Sequence, residues 1–404
     1  MNILFYCQNF WPESFIINNL AKSLSLNNPV EVLTGKPNYP KGKVYSGYKA
    51  LGLQTEQFNL ISINRIPIVP RGKSKLGLAL NYLSFVVSGI LFAPWSMRYK
   101  KVDVIFVFAM SPLLQAIPAI FLAKIKRAPI VVWVQDLWPE SLSATGYVKN
   151  KSVLKVVEYI VKYIYSQTDL ILVQSKAFVQ PVSLLAGNTP IKYYANSVDD
   201  SFFKVSDTAS PLLKEFSNKF TVLFAGNIGA AQAIDVIVNA AETLKNYTDI
   251  QFIVIGDGSK MPWLAQELIQ RDLSNIHLLG QQPVEMMPST LQQASVLLVT
   301  LANQAIFSYT IPSKVQAYLA SGRPILACLN GEGAKIVEEA RAGIAIKAEN
   351  AGMLAEAVLQ LYKMPADKLT AMGANGREYC RQHFAHDKLV DELTTHLQSV
   401  LRIK

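Results

Sequence analysis

Short apolar runs, each closed by glycine, proline or a polar turn and followed by a stretch with helical spacing, recur along nearly the whole sequence. That alternation limits the fold more than any other feature. Runs such as Val104–Val107, Ile130–Val134 and Leu170–Val173 have no polar alternate residue, which suits strands covered on both faces. Helical patterns over about 14–26, 113–124 and 154–165 supply the covering layers. Strand and helix in turn predict α/β architecture with a doubly wound, mostly parallel sheet. The first series opens with strands at 2–6 and 30–33 and ends at 192–195. A second begins at 221–225 and passes through 251–255, 276–278, 296–300, 325–329 and 344–346. Helices at 351–362, 366–382 and 386–401 then close the chain. A chain of 404 residues exceeds the size at which one core stops growing, so two domains are expected. The reading assigns 1–200 to an N-terminal domain and 201–380 to a C-terminal one, with the polar segment 196–207 as hinge. Residues 381–404 form a helix expected to pack back toward the first domain. Two Rossmann-like domains facing each other would place their ligand-binding edges across one cleft.

Composition narrows the function classes. Half of the residues are hydrophobic and only 17% are charged, which excludes disorder and demands large buried cores. Cys7, Cys328 and Cys380 lack metal-like spacing, and residues 1–7 are too short for a secretory apolar region, so a reducing cytoplasmic setting is expected. Residues 1–200 hold 21 Lys and Arg against 10 Asp and Glu, so the net charge of +10 resides in this half. No nucleic-acid motif accompanies that basic half. An anionic membrane or a phosphorylated substrate is the better partner, and no nucleic acid is expected.

The uncharged run Leu76–Met97 is long enough to span a bilayer and is flanked by Arg71, Lys73, Lys75, Arg98, Lys100 and Lys101. Asn81, Ser84, Ser88, Gly89 and Pro94 dilute it, and it lies inside a βα series. Three readings stand: a buried helix, a helix attached to a membrane surface, and a true span, the last disfavoured.

Candidate site residues cluster at strand ends. In SYTIPSKVQAYLASGRPILACL, residues 308–329, Pro312 suits the first turn of a helix, and Ser313 and Lys314 lie beside its free N–H groups. A helix start with a lysine and hydroxyls suits a phosphate or diphosphate, although a solvated lysine on an ordinary βα turn reads equally well. Gly226-Asn227-Ile228-Gly229 and Gly256-Asp257-Gly258 close two successive strands and would let backbone approach a ligand. In the first domain, TGKPNYPKGKVYSGY follows the second strand as a shaped or a merely solvated loop. QDLWPES, residues 135–141, brings Asp136 and Trp138 to a strand tip, where Asp136 could instead cap the next segment and Trp138 fill an interface.

These motifs together resemble GT4-type glycosyltransferases of the GT-B fold. AGNIG, VIGDG and FSYTIPSKVQAYLASGRPIL resemble the family's donor-binding domain, and YCQNFWPES, TGKPNYPKGKVYSGY, LNYLSF and WVQDLWPES resemble the WbuB/WcaI-like subgroup over essentially the whole chain. The resemblance implies sugar transfer from a UDP-sugar to an undecaprenyl-diphosphate-linked sugar in O-antigen or exopolysaccharide assembly. It implies no metal and no cofactor, and a peripheral place on the cytoplasmic face of the bacterial inner membrane. Carried over position by position, Gly226, Asn227, Gly229, Gln232, Gly256, Gly258, Pro283 and Ser313 would bind the donor, with Lys314 on its diphosphate. Glu13, Asn38, Tyr39, Lys41 and Trp138 would bind the acceptor, with Asp136 catalytic beside the reacting carbon. Two departures stand out. The family's glutamate pair falls on Tyr309 and Ala317, leaving Gln316 as the nearest substitute toward a ribose diol, and Asn227 and Gln232 stand where the family carries cations. The missing glutamates keep a non-catalytic sugar-nucleotide or lipid-binding subunit open. A UDP-sugar 2-epimerase is weaker, because His277, His383, His386 and His396 all lie in the C-terminal half.

Overall fold

A computed structural model describes the chain except for residues 73, 145–147, 149, 205–209 and 402–404. Lys73 of the basic flank and the last residues of the expected hinge, Val205 to Asp207, lie outside the described residues. The chain forms two compact units, Met1–Ala195 with Asp387–Lys404, and Asn196–His386.

Unit 1 holds strands β1 (Ile3–Tyr6), β2 (Val30–Thr34), β3 (Gln54–Phe58), β4 (Ile61–Arg65), β5 (Val104–Ala109), β6 (Ile130–Val134), β7 (Leu170–Val173) and β8 (Ile191–Tyr193). They form one sheet in the order β3-β4-β2-β1-β5-β6-β7-β8. The central strands are buried along their whole length, as unbroken apolar runs require. Only β3 runs antiparallel. The β3–β4 hairpin has no counterpart in the expected series, because QTEQF is polar and alternates in exposure at the sheet edge. The last helix, His386–Leu401, belongs to this unit from Asp387 on, and Tyr194 Oη donates to its Leu389 carbonyl at 2.9 Å.

Unit 2 holds β9 (Phe220–Ala225), β10 (Ile250–Ile255), β11 (Ile276–Gly280), β12 (Val296–Thr300), β13 (Ile325–Cys328) and β14 (Gly343–Ile346). Their order is β11-β10-β9-β12-β13-β14, all neighbours parallel, which is the doubly wound Rossmann order. The helix Ala366–Phe384 stays in unit 2, slightly past the boundary expected at residue 380. It packs against the helix Ser313–Ser321, and Gly373 makes this possible: a Cβ there would lie 2.0 Å from the Gly322 carbonyl oxygen.

The helix Lys75–Ser96 settles against unit 1 along a single stripe, Asn81, Phe85, Ser88, Gly89 and Ala93. Gly89 sets the approach, since a Cβ would meet Tyr6 Oη at 2.3 Å and Pro118 Cβ at 2.6 Å. The opposite face leaves Leu83 54%, Val87 55%, Leu91 63% and Trp95 60% exposed.

Candidate active site

Strand order locates the ligand sites before any side chain is considered. In open α/β sheets the crevice opens beyond the carboxyl ends of strands flanking the point where strand order reverses. In unit 2 that point lies between β9 and β12, and in unit 1 between β1 and β5.

In unit 2, the glycine turns after β9 and β10 and the start of helix Ser313–Ser321 converge. Gly226 has φ +138°, and a Cβ on it would lie 2.4 Å from Lys314 Cε and 3.0 Å from Lys314 Nζ. The lysine chain therefore lies across the bare backbone of Gly226, and its ammonium rests 3.9 Å from the Phe224 ring centroid. Gly256, at φ +139°, packs on Gly226: a Cβ would come within 1.9 Å of the Gly226 carbonyl oxygen. Gly258 sits as tightly against Ile228, whose N–H donates to Asp257 O at 2.9 Å. Tyr318, one turn along the helix from Lys314, anchors it by accepting from Ala225 N–H at 3.0 Å.

Burial without a partner lowers the Lys314 pKa to about 8, and among the described residues no carboxylate forms an ion pair with it. A desolvated ammonium that pairs with no carboxylate among the described residues, at a helix start that no side chain caps, suits a negatively charged ligand. Pro312 itself is the N-cap and Ser313 the first helical residue, one position later than expected. Asn227 Nδ2 donates to Gln232 Oε1 at 3.0 Å beside Gly229, a neutral amide pair in the same turn. Pro283 is exposed in the loop after β11.

Gln316 does not join this cluster. It is 2% exposed, and its Nε2 donates to the Asn196 carbonyl at 2.8 Å. Residues two apart on a helix point to different sides, so Lys314 on the glycine turns turns Gln316 away from them. The expected diol contact from Gln316 is thereby overturned.

In unit 1, Asn38, Tyr39 and Asp136 line one cavity of about 260 Å³ at the β1/β5 switch point. Asp136 Oδ2 accepts from Ser111 N–H at 3.0 Å, so it ties two strand-end loops together rather than capping the helix that follows. Trp138 corrects another expectation. Its indole is buried and donates to Ser111 Oγ at 2.8 Å, bracing the loop instead of facing a ligand. Glu13 is likewise internal, 2% exposed, with Oε1 accepting from Asn38 N–H at 2.7 Å and Tyr39 N–H at 2.6 Å and Oε2 from Asn9 Nδ2 at 3.0 Å. Burial raises its pKa above the ordinary carboxylate value against the opposing pull of those hydrogen bonds. Its role is to shape the 34–48 loop. That loop is firmly built: Tyr45 Oη donates to the Tyr39 carbonyl at 2.6 Å, and Gly42, at φ +73°, abuts the Gly72 carbonyl at 2.4 Å from its would-be Cβ. Lys41 is exposed on it, outside the cavity lining. Sequence reasoning missed Gln8, Arg71, Asn81 and Tyr82, which also line the cavity. Asn81 was visible only as a polar residue diluting an apolar helix and as part of the LNYLSF motif, with no site role attached. Among the described residues no cluster of three His, Cys, Asp or Glu is placed to hold a metal ion.

Residues 219–364 match the family described as Glycosyl transferases group 1, the segment that carries the Lys314 cluster. The matched segment lies within unit 2. The chain is 25% identical to WcaI of Escherichia coli strain K12, whose name places it in colanic acid biosynthesis, over 80% of this chain and 82% of that protein. To the glycosyltransferase WbjE of Pseudomonas aeruginosa it is 24% identical over 63% of this chain, spanning 64% of that protein, just under two thirds. Anabaena HepE, solved with UDP bound, superposes with a TM-score of 0.73 at 14% identity, covering 99% of this chain and 100% of that one. The fold is GT-B, with a Rossmann-like sheet in each unit.

Removing the Glu13 carboxylate orphans two loop amides. Glu13→Ala should lower unfolding free energy by about 2–4 kcal/mol, a full cost for buried donors left unpaired. Urea unfolding at neutral pH checks this, and an unchanged midpoint would return Glu13 to the ligand-binding residues.

Proposed function

We propose that unit 2 binds a UDP-sugar through the Gly226, Gly256 and Lys314 cluster and that the chain transfers the sugar, a deoxy- or N-acetylated amino sugar such as N-acetylfucosamine, onto a lipid-diphosphate-linked sugar held by unit 1. The observation that carries this reading is the half-buried Lys314 ammonium laid over Gly226 with no carboxylate paired to it among the described residues. The UDP bound in HepE and the colanic acid assignment of WcaI support nucleotide and pathway class, namely repeat-unit assembly of an O-antigen or exopolysaccharide.

In the reaction the bond from the donor's anomeric carbon to the diphosphate oxygen breaks, and its electron pair leaves with UDP. The acceptor hydroxyl oxygen bonds to that carbon, and the hydroxyl proton passes to the departing diphosphate. No metal or other cofactor enters this scheme. Charge grows on the diphosphate as the bond stretches, so the backbone N–H groups and the Lys314 cation stabilise the transition state more than the ground state. Asp136 lines the acceptor cavity and orients the attacking hydroxyl.

The protein works from the inner face of a bacterial membrane. Helix Lys75–Ser96 is long and apolar enough to cross a bilayer, yet its Asn81–Phe85–Gly89 stripe is packed into unit 1, which favours surface attachment over a span. Arg98, stacked 3.8 Å over Trp95, and Lys75 place cations at both ends of the exposed apolar face.

Lys314→Ala should lower kcat/KM by about a hundredfold, roughly 3 kcal/mol for one charged stabiliser, measured as UDP release from UDP-sugar and lipid-linked acceptor. Because the lysine is protonated below its pKa of about 8 and neutral above it, UDP affinity should fall between about pH 7 and 9 in wild type and stay flat in the variant. An unchanged kcat/KM, or identical pH profiles, would remove Lys314 from the site.

Phe85 is core, so the variant that tests membrane attachment uses exposed positions only. The triple substitution Leu83→Ser, Val87→Ser and Leu91→Ser should keep its melting temperature within about 2 °C and lose sedimentation with anionic vesicles. Retained sedimentation would show that this face does not dock.

A further inference from the structure

The polar wall of the unit 1 cavity contains an acceptor atom that the fold leaves unsatisfied. Gln8 follows β1, is 5% exposed, and has its backbone fixed by Gln115 Oε1, 2.9 Å from its N–H, and by Thr34 Oγ1, 3.1 Å from its carbonyl oxygen. Its side-chain orientation follows from a chain of amides. The Val69 carbonyl can only accept, so Asn81 presents Nδ2 to it at 2.6 Å. Asn81 Oδ1 then faces Gln8 and takes its Nε2 at 2.6 Å. Gln8 Oε1 is what remains, buried and without a partner among the described residues. A buried acceptor in this state is unfavourable until water or a ligand group donates to it.

The same cavity presents the side chain of Arg71. Arg71 N–H donates to Asn38 Oδ1 at 3.0 Å, which fixes its backbone, and its guanidinium lies 5.4 Å from the Tyr39 ring centroid. Among the described residues Arg71 forms no ion pair with a carboxylate. A planar guanidinium held on an aromatic ring suits a phosphate.

We infer that this cavity receives the acceptor's lipid-proximal sugar and its phosphate, with Gln8 Oε1 accepting a hydroxyl or amide N–H of the sugar and Arg71 binding the phosphate. The inference rests on the reading of this chain as a transferase acting on a lipid-diphosphate-linked sugar, and it names the residues that select that acceptor. The cavity's 260 Å³ is below the roughly 300–1,000 Å³ of drug-sized sites, so it accommodates one ring rather than an oligosaccharide. Asn81 and Tyr82, which line it, belong to the helix that exposes Leu80 and Leu83 to the outside. A lipid lying along that helix therefore delivers its head group to the cavity. Asp136, on the same wall, is in place for the hydroxyl that reacts.

The test uses full-length protein and farnesyl-diphosphate-linked N-acetylglucosamine, which carries hydroxyls, an amide N–H and the diphosphate on a short lipid. Its uncharged counterpart is octyl N-acetylglucosaminide. Binding is followed by isothermal titration in the presence of UDP, and turnover by UDP release. Arg71→Gln should weaken binding of the diphosphate-linked probe about tenfold or more and leave the octyl glycoside unaffected, while Arg71→Lys recovers part of the loss. Gln8→Met should weaken both probes about tenfold, with UDP affinity as in wild type. If wild type turns over the farnesyl probe and neither variant shifts its KM, the cavity assignment is overturned and the transferase reading stands. If wild type binds the probe in an Arg71- and Gln8-dependent way but releases no UDP with a panel of UDP-sugars, the assignment stands and the transferase reading fails. Loss of UDP affinity in either variant would reveal misfolding, and Gln8→Leu, which nearly keeps the volume and leaves Asn81 Nδ2 on the Val69 carbonyl, would then be measured; unchanged probe affinity in that variant overturns the assignment.

Discussion

A lysine laid over bare glycine backbone, with no carboxylate paired to it among the described residues, is the interaction on which the function proposed for unit 2 depends. Lys314 can lie there only because Gly226 has no side chain, and Gly226 can take its conformation only because Gly256 lets the next strand end come close. Any Cβ in this pair would collide with the lysine chain or with backbone, so the cation, the two glycines and the strand ends form one interdependent unit. The energetic consequence is electrostatic. An ammonium with its pKa lowered to about 8 is destabilised by burial, and a diphosphate that restores its favourable state binds with the energy that burial withheld. The Tyr318 bond to Ala225 keeps the helix, and with it the lysine, in register with β9.

Unit 1 works by different means. Its cavity is organised by neutral amides and by backbone fixed through buried polar groups: Glu13 gathers the 34–48 loop, and Gln8, Asn81 and Gln115 lock the end of β1 to two helices. Such groups suit the recognition of an uncharged sugar, while the single guanidinium at Arg71 matches the charge that a lipid-linked acceptor carries. Helix Lys75–Ser96 connects this cavity to an apolar surface, so in the proposed function recognition of the head group and contact with the lipid would lie on one element.

Much of this was legible in the residues. The parallel strands were apolar on both faces and therefore readable, and glycines repeated at strand ends marked where turns and the Lys314 chain pack closely together. The position of Lys314 at a helix start was readable because proline, serine and lysine there leave a recognisable signature. The failures share a physical cause. The β3–β4 hairpin is an edge element with polar alternation, so hydrophobic patterning was silent there. Glu13, Trp138 and Gln316 have the chemistry of ligand-binding residues but satisfy neighbouring backbone and side-chain groups instead, and only three-dimensional packing reveals which partner a buried polar group has taken. Gln8, Arg71 and Asn81 come from three separate segments, and topology alone brings them together.

The central claim is that the glycine turns and Lys314 hold a nucleoside diphosphate. Thermal unfolding of the wild-type chain with UDP, GDP, ADP, CMP and dTDP, each at the same concentration and pH 7, tests it most directly. The account expects a rise in melting temperature with UDP well above that with the other nucleotides, growing with concentration as ligand linkage requires. The absence of a shift with any of the five would contradict it and leave the Lys314 cluster without a ligand.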